Sequence, residues 1–115
     1  MILTGIDIVE VKRIRKIIQS SKRFLEKVYT PTEIAYCNSK KNRWQHFAVR
    51  FAAKEAVWKA IGKKDIWHRD ITVKNAPDGK PAVILSKRYK HLQKKVSLSL
   101  SHTEDYAVAV AIFNV

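Results

Sequence analysis

Two carboxylates, Asp7 and Glu55, stand among apolar residues where a lone negative charge is costly. Glu55 lies in Arg50-Phe51-Ala52-Ala53-Lys54-Glu55-Ala56-Val57-Trp58-Lys59-Ala60, a run with helical character. At about 100° per residue, Trp44, Phe47, Ala48, Phe51 and Trp58 share one stripe, and Glu55 falls near its middle. A carboxylate buried there without partners would either cost several kcal/mol or neutralise itself, so a metal ion, an arginine or a substrate cation is expected to meet it. Asp7 sits between Ile6 and Ile8 in a β-branched stretch, and Gly5 leaves room for another backbone or a ligand to come close. Read alone, Asp7 fits equally well an outward position that caps the following helix. Read together, the two acids suggest a shared site. With phosphate nearby the fitting ion is Mg²⁺, which takes one or two protein carboxylates together with substrate phosphates and water.

Cations surround this pair in the sequence. Lys59 follows Glu55 by one turn, where it meets either a phosphate oxygen or Glu55 itself in an i,i+4 pair. Arg50 and Lys54 point away from Glu55 on the helical wheel; Arg50 suits a bidentate phosphate contact, with a solvated charge as the alternative. His102 and Thr103 fall in a turn between two extended runs, a usual place for binding residues. The single cysteine, Cys37, excludes an intrachain disulfide and reads as a small buried side chain; without paired Cys or His spacing, zinc is not expected. Tyr106, Trp44, Phe47 and Phe51 are expected in the core.

These residues need elements to carry them. Residues 1–9 read as a strand, 10–19 as a helix and 22–28 as a second helix. Thr30-Pro31-Thr32-Glu33 opens a third helix with a capping box and proline in the first turn. The long central helix covers 42–61 and ends at Gly62. A strand at 70–75, the Asp78-Gly79 turn and a strand at 82–85 form a hairpin. Ser86 caps a basic helix to Lys95, and 96–101 with 106–113 make a last hairpin. The pattern predicts an α+β fold, a largely antiparallel sheet packed against the long central helix, in one domain spanning residues 1–115.

The net charge of +13 requires an anionic partner, whether nucleic acid, acidic protein or phosphorylated metabolite. Lys12, Arg13, Arg15 and Lys16 oppose the apolar Val11, Ile14, Ile17 and Ile18, and Lys22, Arg23 and Lys27 extend the basic face. That face is either simply solvated or a dock for an acidic helical protein. No stretch is long and apolar enough for a membrane span and no secretion signal is evident, so a cytoplasmic setting without membrane contact is expected.

Gly5-x-Asp7-x5-Arg13, Phe51-x-x-Lys54-Glu55-Ala56-x-x-Lys59-Ala60 and Ser99-Leu100-Ser101-His102-Thr103 with Tyr106-Ala107-Val108-Ala109 occur in this order. Together they resemble the three motifs of the 4'-phosphopantetheinyl transferases, and the length matches the short holo-acyl-carrier-protein synthase subfamily. After Ala60 the chain departs from the family's Gly-Thr-Gly-type loop with Ile61-Gly62-Lys63-Lys64-Asp65. The resemblance implies transfer of phosphopantetheine from coenzyme A to a serine of an acidic acyl carrier protein. It also implies Mg²⁺ on Asp7 and Glu55, and catalytic roles for Asp7, Glu55 and Lys59. Arg50, Lys54, His102 and Thr103 would bind coenzyme A, with Glu55 or a water on the metal as proton acceptor. Arg13, Arg15, Lys16 and Arg23 would receive the carrier, and the assembly would be a homotrimer with interfacial sites. Two rivals remain: a nucleic-acid-binding module, supported by basic helices and aromatics but lacking a recognised motif, and a Mg²⁺-dependent pyrophosphate hydrolase using the same acids.

Overall fold

The computed structural model describes residues 1–115. Strand β1 (Ile2–Glu10) leads into helices α1 (Val11–Ser20), α2 (Lys22–Val28), α3 (Pro31–Asn38) and α4 (Arg43–Ile61). A 3-10 turn, His68–Asp70, precedes strands β2 (Ile71–Asn75) and β3 (Pro81–Leu85); a 3-10 helix, Lys87–Lys95, precedes β4 (Val96–His102) and β5 (Tyr106–Asn114). The α+β class and the antiparallel pairing agree with the expectation, but the strands form two sheets: β1-β5-β4 and the separate hairpin β2-β3.

Local chemistry accounts for the element boundaries. Glu33 Oε1 accepts the Thr30 backbone N–H at 2.9 Å, which fixes the start of α3 with Pro31 in its first turn. Gly62 closes α4 in the left-handed region, φ 73°, with its N–H on Trp58 O at 2.9 Å. The basic segment expected as a helix capped by Ser86 is 3-10 in form, and the Ser86 hydroxyl instead donates to Asp70 Oδ1 at 2.8 Å.

Helix α4 lies across the three-stranded sheet, and its orientation corrects one expectation. Its inward face is the alanine row Ala52, Ala53, Ala56 and Ala60, not the aromatic stripe. The physical reason is distance: Gly5, Ala107, Ala109 and Ala111 present small surfaces, and a helix with small side chains can settle close upon them. A row of bulky aromatics there would hold the helix off. Phe47 and Ala48 remain buried, but Phe51 and Trp44 sit half-buried and Trp58 is 41% exposed. Glu55 is therefore at the edge of the helix–sheet contact, in reach of water, and the large burial penalty does not arise. Tyr106, expected in the core, is half exposed on the outer sheet face.

Two apolar clusters meet on α4. One joins its C-terminal half to β2, β3, β5 and the Lys87–Lys95 helix; the other joins its N-terminal half to α1, Tyr29, Cys37 and Ala107. Cys37 is fully buried as expected, and burial pushes its thiol up to about 12.

Candidate active site

Gly5 brings the two acidic elements together. A Cβ at this position would stand 2.0 Å from Ala56 O and 2.8 Å from Ala60 N, so only glycine lets β1 lie directly on the backbone of α4. Strand alternation then turns Asp7 to the same helix-facing side, opposite Ala109 in β5, while Ile6 and Ile8 point outward. Lys59 rises from α4 to meet it: Nζ donates to Ile6 O at 2.9 Å and lies 3.3 Å from Asp7 Oδ1. Lys59 thus pairs across elements with Asp7 and makes no i,i+4 pair with Glu55. The second oxygen, Asp7 Oδ2, is buried and has no hydrogen-bond partner. A buried carboxylate oxygen with nothing to accept from is poised for an electropositive ligand.

One turn before Lys59, Glu55 faces a cavity of about 280 Å³ walled by Trp58, Lys64, Ile66, Trp67, His68 and Ile71. His68 stacks on Phe51 at 5.5 Å and holds Nε2 3.6 Å from Glu55 Oε1. No group of three or more His, Cys, Asp and Glu side chains converges anywhere in the chain. Asp7 and Glu55, on two elements in contact, would supply two carboxylates, the number Mg²⁺ uses when substrate phosphates and water complete its shell, and the orphaned Asp7 oxygen would fit that ion.

Lys54, expected to bind coenzyme A, is committed to partners inside the protein. Its ammonium is fully buried, 2.7 Å from Glu33 Oε1, and donates to His68 O at 2.9 Å and Ile71 O at 2.6 Å. Burial lowers its pKa, with Glu33 pulling the other way. All three of its protons are spent inside the protein, so it builds the back wall of the Glu55 cavity and has none left for a ligand.

Arg50 is also buried, 3% exposed, which removes the alternative of a solvated charge, and its Nε has no partner. Its guanidinium lies 4.4 Å over the Tyr36 ring, and Lys40 lies 4.9 Å from the same ring. His46 packs edge-on to Tyr36 and stands 6.3 Å from His102. Burial lowers the pKa of His46, and the charges of Arg50, His102 and Lys40 lower it further. Four basic groups, Arg50, Lys40, His46 and His102, thus gather on this flank; Glu33 lines the same cavity as Arg50 and Tyr36 but is paired with Lys54. Of these, sequence reasoning singled out Arg50 and His102 but missed His46, Lys40 and the Tyr36 platform, whose only sequence signal was basic and aromatic composition. It missed His68 likewise. His102 closes β4 and is not in the turn; Thr103 holds the turn, its Oγ1 accepting from Tyr106 N at 3.1 Å.

Arg13, Arg15 and Lys16 are exposed on α1, and Arg15 lies 5.8 Å over Trp44. Arg23 stands apart, on the rim of a groove of about 870 Å³ between α2 and the His68–Asp70 turn, with Lys22, Lys27 and Arg69. This groove shares Trp67 and His68 with the Glu55 cavity.

Comparison with known proteins gives the family. Residues 4–111 match the family model described as the 4'-phosphopantetheinyl transferase superfamily. The chain belongs to this superfamily. It is 48% identical over 119 residues to the holo-[acyl-carrier-protein] synthase of Koribacter versatilis, covering 95% of this chain and 94% of that one. It also resembles the crystal structure of the Bacillus anthracis holo-(acyl-carrier-protein) synthase in complex with CoA (3',5'-ADP): TM-score 0.81, 36% identity, 96% of this chain and 94% of that chain covered. The Helicobacter pylori synthase in complex with coenzyme A is similar at TM-score 0.80 and 35% identity, covering 95% and 97%. The superfamily's short members thus have the α+β architecture found here.

Proposed function

We infer that this protein transfers the 4'-phosphopantetheine group of coenzyme A to a serine of an apo acyl carrier protein and releases adenosine 3',5'-bisphosphate. The observation that carries this reading is the Asp7 carboxylate, one oxygen toward Lys59 and the other buried and unpartnered, on a strand laid directly on the helix that bears Glu55. In the reaction the serine oxygen forms a bond to the phosphorus that bears pantetheine. The bond from that phosphorus to the bridging oxygen breaks, the bisphosphate leaves, and the hydroxyl proton is lost. Such transfers depend on positioning and on charge stabilisation. Asp7 and Glu55 are the residues that would hold Mg²⁺, which would supply charge neutralisation at the pyrophosphate when bound. Lys59, anchored by Ile6 O and Asp7, presents its cation to the phosphate that departs. Arg50, His46 and His102 offer the second anion site, suited to the nucleotide phosphates.

We place the active sites between protomers of a homotrimer. Arg50 and Glu55 are five residues apart on α4, about 140° around the helix, so they lie on different flanks. A ligand spanning both sites is best served by two protomers. The outer face of the three-stranded sheet supports self-association: Ile6 and Ile8 are 63% and 64% exposed, and Ile112 lies beside them on β5. The number three rests on the resemblance. The basic surface of Arg13, Arg15 and Lys16, with the groove at Arg23, suits an acidic carrier protein. No helix is long and apolar enough to cross a membrane, and the buried, unpaired Cys37 is compatible with the reducing cytoplasm.

The test is intact-mass spectrometry of an apo acyl carrier protein incubated with this protein, coenzyme A and Mg²⁺, with and without chelator. A gain of one phosphopantetheine group that the chelator abolishes is the expected result. Bisphosphate release without a carrier would favour the hydrolase, and no reaction with several folded carriers would overturn the transferase.

A further inference from the structure

Lys64 is a cation on the wall of the Glu55 cavity that the reading above leaves unused. The other lysine there, Lys54, is saturated by Glu33 and two carbonyls, whereas Lys64 is exposed and forms no ion pair. Its backbone is nonetheless pinned on both sides. Gly62 ends α4 in the left-handed conformation two residues before it. The next residue, Asp65, pairs through its carboxylate with Arg88 and accepts the Tyr89 hydroxyl on its carbonyl oxygen at 2.9 Å. Ile66 is buried. A latch between this loop and the Lys87–Lys95 helix therefore fixes the backbone that carries Lys64 at the cavity wall.

The rest of the lining selects among the parts of coenzyme A. Trp58, Ile66, Trp67 and Ile71 offer apolar wall, which suits an uncharged chain and not a phosphate. The anion-binding groups lie elsewhere, at Lys59 and around Arg50. The uncharged part of the donor is the pantetheine arm, with two amides amid methyl and methylene groups, and its carbonyls need donors.

We propose that Lys64 is a specificity-determining residue for the donor: its Nζ donates a hydrogen bond to an amide carbonyl of the pantetheine arm, and the Asp65 latch to Arg88 and Tyr89 sets its position. The proposal rests on coenzyme A being the donor. It is tested by isothermal titration calorimetry on the full chain with coenzyme A and, separately, adenosine 3',5'-bisphosphate, which lacks the arm. Lys64→Met weakens coenzyme A roughly three- to ten-fold, the scale of one hydrogen bond, and leaves the bisphosphate affinity unchanged. In steady state the same variant raises KM for coenzyme A with kcat near the original, because the contact is equal in ground and transition states. Arg88→Ala moves coenzyme A affinity in the same direction by less, and the neighbouring Lys63→Met changes neither ligand. Equal loss for both ligands would assign Lys64 to a phosphate, no loss would remove it from the site, and a silent Arg88→Ala would discard the latch. A protein that modifies no carrier overturns the transferase reading itself, whereas a Lys64 variant with unchanged coenzyme A affinity overturns this inference alone.

Discussion

A methyl group at position 5 has nowhere to go, because its nearest neighbour would be the Ala56 carbonyl oxygen of α4, which is backbone and cannot swing aside. Gly5→Ala must therefore push β1 off the helix, and Asp7 moves with it. The expected cost is about 1–3 kcal/mol or more, read by urea denaturation, together with a fall in transfer rate larger than the stability loss explains. At the next two positions of the site the outcome is sharper. Asp7→Ala or Glu55→Ala removes one of the two carboxylates of the proposed metal site, and transfer should fall by at least about a hundred-fold, the lower end of the loss for a single catalytic contact. A near-normal rate in either variant, measured by intact mass against time, would refute the two-carboxylate site.

Elements are tied together by the Glu33–Lys54 pair, which joins α3, α4 and the start of β2. Glu33 Oε2 accepts Val73 N at 2.9 Å while Lys54 holds His68 O and Ile71 O. Removing either charge strands the other in the interior, at about 3–5 kcal/mol. The double variant Glu33→Gln/Lys54→Met should cost less than the sum of the singles, and additivity in a double-mutant cycle would show the pair to be uncoupled. Two turns before Lys54 on α4, burial and the charges of Arg50, His102 and Lys40 hold His46 below its ordinary 6.5. Above that pH both folded and unfolded imidazoles are neutral. As pH falls through 6.5 the unfolded chain takes the proton first, so the folded state loses stability until the folded pKa is passed. Melting temperature should therefore fall more steeply between pH 7.5 and 5.5, a span of about two units around the histidine range, in the wild type than in His46→Phe. Parallel curves would remove His46 from the basic cluster.

The proposed partners of the whole molecule call on two kinds of surface, one apolar and one charged. The outer sheet face with Ile6, Ile8 and Ile112 is apolar, and Ile8→Asp should reduce the solution mass seen by light scattering to that of one chain. Transfer should be lost in parallel if the sites lie between protomers. The exposed cations of α1 are the surface proposed for the carrier protein. Arg13→Glu with Arg15→Glu should weaken carrier-protein binding, most at low salt, and spare coenzyme A. A salt-independent carrier affinity would dismiss that dock.

Much of this was legible in the residues themselves. The helix ends at Pro31 and Gly62, the Asp78-Gly79 hairpin turn and the family motifs depend on short-range chemistry, which a linear sequence carries whole. The sequence by itself determined the architecture's elements and the superfamily, and it singled out Asp7 and Glu55, the two acids on which the proposed site rests. Only the tertiary structure decided how α4 is rolled on the sheet, because that roll follows from how closely Gly5 and the β5 alanines let the helix approach, a property of two surfaces together. The roll placed Glu55 at the rim, sent Lys59 to Asp7, and buried Lys54 against Glu33, twenty-one positions away in a separate helix. Helical periodicity tells which residues share a face; it does not tell which face meets the sheet, and at this site that choice separates a wall from a ligand-binding cation.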